Sequence, residues 1–432
     1  MKLYIKTFGC QMNMYDSARM RDSLHKLGYQ DTEKPSEADI ILINTCHIRE
    51  KASEKLFSEI GRLVQIKKKD SLLIVAGCVV QANGAELLKR AHAVDIAVGP
   101  QNYHKLPELI TRYNRQKGRV ILADFPAESK FDFLTPHTAH TASCFLAIQE
   151  GCDHFCSYCV VPYTRGCEYS RPADEIVVEA KNLVRTGAKE IMLLGQNVNG
   201  WHGIGAKDLG DLIRMLADIE GLERIRYTTS YPSEMTDNII TAHRDVPKLM
   251  PYIHLPIQSG SDRILKAMNR QYTRTEYLNI IDRFRSARPD IAISSDFIVG
   301  FPGETAEDFK QTLDIVRQVN YASSFSFKFS ARPGTPASIM KNQIPEAVKT
   351  ERLTELQDLL MTQQKQFNTN TIGKTLDVLL IEKGKEKGQI SGYTPYLQNV
   401  HIQASDGLIG QIVPIKIKSA TATSLAGKKI SK

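Results

Sequence analysis

Cys152-Asp153-His154-Phe155-Cys156-Ser157-Tyr158-Cys159 places three thiols within eight residues, in the pattern CxxxCxxC. Thiolates are soft ligands and suit iron–sulfur or zinc centres. The spacing matches neither the paired CxxC of zinc ribbons nor the C-x2-C-x2-C run of ferredoxins. Three thiolates on a 4Fe–4S cube leave one iron open, and an open iron can bind a substrate. The motif follows a strand-like run, Cys144–Gln149, and barrel folds carry their chemistry at the C-terminal ends of strands. A zinc site and inert core thiols are the plain alternatives.

Cys10, Cys46 and Cys78 are far apart in the chain, yet each follows an apolar run: LYIKTFGC, DIILINTC and LLIVAGC. If those runs are neighbouring parallel strands, all three thiols emerge at the carboxyl edge of one sheet, where open α/β sheets bind ligands. There they could ligate a second cluster, again with an open iron. Gly9 and Gly77 would let the backbone approach it closely. The alternative is three unrelated buried cysteines. Of the eight cysteines, Cys144 reads as a core thiol and Cys167 has no assigned role.

The elements that must position these residues form an α/β chain. At 432 residues it exceeds one ordinary domain, and 42% hydrophobic with 24% charged residues is globular in composition. No apolar run approaches a membrane span and the N-terminus does not read as a signal peptide, so a cytoplasmic protein without membrane contact is expected. Residues 1–117 alternate buried strands (3–8, 39–44, 72–76, 95–98) with helices, which predicts a three-layer α/β domain with a parallel sheet. Residues 118–142 read as a linker. Residues 143–368 repeat six βα units, the pattern of a partial TIM-type (β/α)6 barrel closed by a long helix, with an open sheet as the alternative. Residues 369–432 hold four short strands and predict a small β-barrel. That segment carries nine Lys against four acidic residues, five of the eight net positive charges. In Ile415-Lys416-Ile417-Lys418 the lysines alternate outward, which fits RNA binding, with a merely solvated Lys-rich tail as the plain alternative.

With Tyr158 before its last cysteine, CxxxCx(aromatic)C resembles the radical S-adenosylmethionine (SAM) superfamily. The resemblance implies a 4Fe–4S cluster on Cys152, Cys156 and Cys159, SAM chelated to its open iron, cleavage to a 5′-deoxyadenosyl radical, and Tyr158 beside the adenine. Across the whole chain the layout is similar to the methylthiotransferase family: an N-terminal three-cysteine domain, a radical SAM barrel and a TRAM domain. Thr7-Phe8-Gly9-Cys10-Gln11-Met12-Asn13, Asn44-Thr45-Cys46, Cys159-Val160-Val161-Pro162-Tyr163-Thr164-Arg165-Gly166, Gly195-Gln196-Asn197-Val198-Asn199 and His254–Ser261 carry the likeness. Gln11-Met12 favours the tRNA branch (MiaB-type), which methylthiolates carbon 2 of N6-isopentenyladenosine at position 37. Cys167 departs from the pattern, since that branch usually has a charged residue there.

The target bond is an aromatic C–H without an acidic proton, which calls for radical chemistry. The family implies two uses of SAM. One methylates sulfur on an auxiliary 4Fe–4S cluster at Cys10, Cys46 and Cys78, and the other is cleaved at the second cluster. Predicted strand ends offer Gln196, Asn197, His254, Gln258, Ser295 and Asp296 for SAM, and Arg332 follows the sixth strand. Gly300–Thr305 is Gly-rich without a phosphate-loop ending and reads as a strand-to-helix turn capped by Thr305. Implied partners are the tRNA anticodon loop, an electron donor such as flavodoxin or ferredoxin, and a sulfur donor, with the protein as a monomer. Other readings are a methylthiotransferase for a ribosomal-protein aspartate or for threonylcarbamoyladenosine, and a non-catalytic RNA-binding iron–sulfur protein.

Overall fold

A computed structural model describes residues 1–46 and 50–430. It contains two units: Met1–Thr138 with Glu150–Cys152 and Val160–Tyr169, and Ala139–Gln149 with Asp153–Cys159 and Ser170–Lys432.

The first unit is built on six parallel strands: β1 (Lys2–Phe8), β2 (Gln30–Asp31), β3 (Ile40–Thr45), β4 (Leu72–Ala76), β5 (Ile96–Val98) and β6 (Val120–Leu122). Their spatial order is β2-β1-β3-β4-β5-β6. β3 and β4 are buried along their whole length, as their unbroken apolar sequences require. Alternation splits their side chains between two layers. Ile40, Leu42 and Ile74 face helices α1 (Gln11–Lys26) and α4 (Leu106–Gln116). Ile41, Ile43, Leu73 and Val75 face α2 (Glu50–Ile66) and α3 (Cys78–Arg90). The expected three-layer arrangement is present. The start of the helix predicted after the second strand falls on 47–49, outside the described residues. Two edge strands were not foreseen. β2 is two polar residues, and β6 lies in the stretch read as a linker, three residues of which complete the sheet. That stretch also buries Lys130 and Phe131.

Short strands β8 (Gln149–Glu150) and β9 (Tyr169–Ser170) pair with each other, and helix α5 (Val161–Arg165) lies between them in the chain. In the second unit β7 (Ser143–Ala147), β10 (Glu190–Leu194) and β11 (Arg224–Tyr227) form one parallel sheet in the order β11-β10-β7. β12 (Tyr252–His254), β13 (Ala292–Val299) and β14 (Ser323–Lys328) form another. A parallel bridge from Ile225 to Leu249 links β11 to the approach to β12, giving six strands in barrel order. Helices α6 (Ala173–Arg185), α7 (Leu209–Ala217), α8 (Asp237–Asp245), α10 (Arg274–Ala287) and α11 (Ala306–Val319) alternate with them, and α12 (Glu346–Thr369) follows. A short helix α9 (Asp262–Ala267), absent from the sequence reading, precedes α10. Thr305 caps α11 as expected, its side chain accepting from the Asp308 amide.

The tail closes into a barrel of five strands: β15 (Thr375–Lys383), β16 (Gln389–Tyr393), β17 (Asn399–Gln403), β18 (Ile412–Ala420) and β19 (Leu425–Lys429). The fifth strand was not foreseen, because LAGKK has one strongly apolar residue. Ile415 and Ile417 are buried while Lys416 and Lys418 are exposed, as their alternation predicts. The last of the nine lysines, Lys432, lies outside the described residues. Arg224 and Arg226, at the start of β11, hold the small barrel to the larger one. Arg224 donates to the carbonyls of Tyr393 and Asp377, and Arg226 to those of Thr394 and Pro395.

Candidate active site

The sheet order makes β1, β3 and β4 neighbours, so Cys10, Cys46 and Cys78 leave three adjacent parallel strands at their carboxyl edge. The Cys46 thiol hydrogen-bonds both other sulfurs. Those bonds keep its own proton on, well above the usual thiol range. They bring Cys10 down to about 6 and Cys78 down to about 7, with help from the Arg165 charge. Gly9 and Gly77 have φ of 126° and 100°, a region L side chains avoid. A Cβ on Gly9 would lie 2.6 Å from the Cys46 Cβ, and one on Gly77 would lie 2.4 Å from Asn44 Oδ1. The glycines therefore permit the approach that gathers the thiols. Asn13 links Cys10 to Asn44: Cys10 Sγ donates to Asn13 Oδ1 at 3.3 Å, and Asn13 Nδ2 to Asn44 Oδ1 at 3.2 Å.

A buried charge network backs this edge. Arg165 Nε donates to Cys78 Sγ at 3.3 Å, and its two terminal nitrogens donate to Glu150 at 2.6 Å and Asp16 at 2.7 Å. Lys130 Nζ also binds Glu150 at 2.7 Å and lies 3.7 Å from Asp16. All four side chains are buried. Burial alone would raise the Glu150 carboxyl, but Lys130 and Arg165 hold it below its ordinary value. Cys10 and Cys78 shed their protons easily beside a fixed cation, and thiolates are ligands suited to iron. Among the described residues no three His, Cys, Asp or Glu converge closely enough to hold a single metal ion. A four-iron cube spans a wider space than one ion and takes its thiolates from further apart.

The CxxxCxxC loop is fixed from several sides. The Cys152 amide donates to the Gly166 carbonyl at 3.3 Å, and the Cys159 amide to that of Cys156 at 2.9 Å. Ser157 donates to the carbonyls of Ala267 and Met268 at the end of α9. Asn269 Nδ2 donates to the carbonyls of His154 and Phe155. Arg270 Nη1 donates to Cys156 Sγ at 3.4 Å. Its Nε donates to Tyr272 Oη at 2.7 Å and its Nη2 to the Pro256 carbonyl at 3.0 Å. Its guanidinium lies 4.3 Å from the Tyr231 ring centre. On Tyr231 His154 also stacks, ring centres 3.6 Å apart.

The expected SAM-contacting residues fall into several groups. Tyr158 is half-buried and packs against Ile264, Met268 and Phe329; burial raises its phenol well above the usual range. Gln196 follows β10, and its amide is held by Gln149 Oε1 at 2.8 Å. Asn197 is buried; its Nδ2 donates to Glu234 at 2.6 Å, while among the described residues its Oδ1 has no hydrogen-bond partner. Gln258 adopts φ 74° and exchanges backbone hydrogen bonds with β13 at Asp296 and Ile298. Asp296 lies 3.6 Å from His254 Nε2, on a face that Phe325 shares. Arg332 is half-buried in the loop after β14, where its carbonyl accepts from Thr335. Ser295 is fully buried and receives the Ile257 amide, which gives it a role in joining strands.

Arg270 and Glu234 escaped the sequence reading, since no spacing links them to the cysteines. Arg165 stood in a quoted motif without a role.

Comparison with known proteins agrees with this layout. Residues 2–99 match the model of an uncharacterized protein family, UPF0004, residues 146–316 the radical SAM superfamily, and residues 370–430 the TRAM domain. Among solved structures, the radical SAM methyltransferase TsrM from Kitasatospora setae superposes with a TM-score of 0.60 at 14% identity, covering 78% of this chain and 77% of that one. The cobalamin-dependent radical enzyme OxsB gives 0.52 at 12% identity, over 84% and 56%. At such identities they show the fold. Two curated relatives named tRNA-2-methylthio-N(6)-dimethylallyladenosine synthase, from Maricaulis maris and Rickettsia canadensis, are each 54% identical over 440 aligned positions. The alignments cover 99% of this chain and 96% and 99% of the relatives. The chain belongs to the tRNA-2-methylthio-N(6)-dimethylallyladenosine synthase family of radical SAM enzymes.

Proposed function

We propose that this protein methylthiolates carbon 2 of N6-isopentenyladenosine (dimethylallyladenosine) at position 37 of tRNA. The observation that carries the proposal is the gathering of Cys10, Cys46 and Cys78 from three strands onto one sheet edge, in a chain that also bears CxxxCxxC. When bound, two 4Fe–4S clusters and SAM supply a one-electron route to breaking an aromatic C–H bond, and the sulfur and methyl group that replace the hydrogen.

The protein's own groups hold and orient. Cys10, Cys46 and Cys78 would hold the auxiliary cluster as thiolates, a form that the lowered Cys10 and Cys78 values favour. Cys152, Cys156 and Cys159 hold the SAM-binding cluster. Tyr158, Gln196, Asn197, Gln258, Asp296 and Arg332 bind SAM, with the unpartnered Asn197 Oδ1 as an acceptor. Domains 1–117 and 143–368 divide the two cofactor tasks. The 369–432 barrel contributes lysines to the tRNA backbone, and the base of an anticodon loop can be splayed out for recognition. A ferredoxin or flavodoxin supplies electrons, a separate donor supplies sulfur, and the monomer works in the cytoplasm. Among the described residues no helix is long and apolar enough to cross a membrane.

The triple variant Cys10→Ala, Cys46→Ala, Cys78→Ala tests this division. It should still form 5′-deoxyadenosine from SAM with a strong reductant, yet transfer no methylthio group. Wild-type transfer by that variant would refute the reading. The Cys152, Cys156, Cys159 alanine triple should form no deoxyadenosine.

A further inference from the structure

One guanidinium in each unit touches an expected ligand sulfur: Arg165 donates to Cys78 and Arg270 to Cys156. Their surroundings differ in charge. Arg165 belongs to a buried set of two cations and two anions, with Lys130, Asp16 and Glu150. Arg270 has neutral partners: the Tyr272 hydroxyl, the Pro256 carbonyl and the Tyr231 and Tyr272 ring faces. Among the described residues no carboxylate pairs with it. Iron–sulfur potentials follow net charge, hydrogen bonds to sulfur and solvent exposure. A cation beside a ligand sulfur stabilises the electron-rich state, and carboxylates beside that cation offset part of the effect.

We propose that Arg270 is a positioning residue that raises the reduction potential of the cluster on the 152–159 loop, whereas the compensated Arg165 anchors Cys78 without adding net charge. The inference rests on the cluster assignment above. The step it assists is the entry of one electron from a low-potential donor protein. No bond forms or breaks in it, and Arg270 keeps its proton throughout. The planar fork also matters: one guanidinium ties Cys156, Tyr272 and Pro256 together, which fixes the loop against the aromatic stack.

The test is an anaerobic redox titration of the full-length, cluster-loaded protein by electron paramagnetic resonance. The relevant cluster is the one whose signal changes when SAM is added. R270Q and R270M remove the charge by two different side chains, and R270K keeps it. At the potential where wild type is half reduced, both neutral variants should show a reduced-to-oxidised ratio at least tenfold lower, 59 mV for one electron. R270K should stay within threefold of wild type. Neutral variants within threefold of wild type, or an R270K shift as large as theirs, would overturn the proposal. A wild type without a SAM-sensitive signal would instead overturn the cluster assignment.

Discussion

Replacing Arg165 by Met should unbalance the buried network behind Cys78 in a way that depends on pH. Wild-type Arg165 is 3% exposed and neutralises Asp16 and Glu150 at 2.7 and 2.6 Å. Met fills much of the same volume but leaves two carboxylates to share Lys130. Removing one partner of a buried charged set costs about 3–5 kcal/mol, because the other charges stay desolvated. In wild type the Glu150 pKa is depressed, so its contribution is present above the unfolded carboxylate pKa and fades as pH falls through the folded value. In R165M burial outweighs the single remaining lysine, and the Glu150 pKa should rise above its unfolded value. The variant's deficit should then be largest near pH 8 and shrink toward pH 5, as the carboxyl takes up a proton in the folded state. R165K, which keeps the charge but cannot reach Cys78 and both carboxylates together, should lose about 1–2 kcal/mol. Hydrogen exchange in β3 and β4 peptides of the metal-free protein, read by mass spectrometry at pH 8 and pH 6, reports this unit separately from the rest. A deficit below about 1 kcal/mol at pH 8, or one that does not change with pH, would refute the reasoning.

Gly77→Ala should lower the iron bound after reconstitution, since the new Cβ meets Asn44 and Thr45 beside the thiols; wild-type iron content would count against the packing argument. Buried His243, whose pKa burial depresses to about 3, is neutral in the folded state and must charge on unfolding in acid. Its folded pKa lies below the unfolded one, so stability is full at neutral pH and declines as pH falls below about 6.5, by about 2 kcal/mol at pH 5 from this residue. His243→Asn should flatten that part of the denaturant-midpoint profile between pH 7 and 5. Arg226→Leu should leave Glu190 buried without its cation and free the Thr394 and Pro395 carbonyls. The expected cost is about 3–5 kcal/mol, read as faster hydrogen exchange in the 390–400 segment. Unchanged exchange there would mean that other contacts hold the small barrel in place.

The placement of both cysteine sets just beyond strands was legible in the sequence for physical reasons. The thiols of Cys10, Cys46 and Cys78 each stand one or two residues beyond a strand-like run, and before Cys46 and Cys78 the run's continuous β-branched and Leu content signals a strand covered on both faces. The lysine alternation in β18 was equally plain. Very short or weakly apolar elements were not: β2 is only Gln-Asp, β6 is only Val-Ile-Leu, and β19 is mostly Lys, Gly and Ala. These strands form because the sheet or barrel offers them hydrogen bonds, a tertiary cause that no local pattern carries. The same holds for the charge network. Asp16, Lys130, Glu150 and Arg165 come from distant parts of the chain, and their pairing follows from the fold. Asn197 shows a finer miss: its position at a strand end was readable, but not that its amide nitrogen would be committed to Glu234.

The central claim is that this chain puts a methylthio group on an isopentenyl-bearing adenosine of tRNA. Mass spectrometry of nucleosides from tRNA in cells with and without the gene tests it most directly. Cells that lack it should accumulate N6-isopentenyladenosine and lose the species heavier by CH2S, and the wild-type gene should restore that species where the Cys10, Cys46, Cys78 alanine triple does not. An unchanged nucleoside profile in the deletion strain, or restoration by the triple variant, would contradict the account.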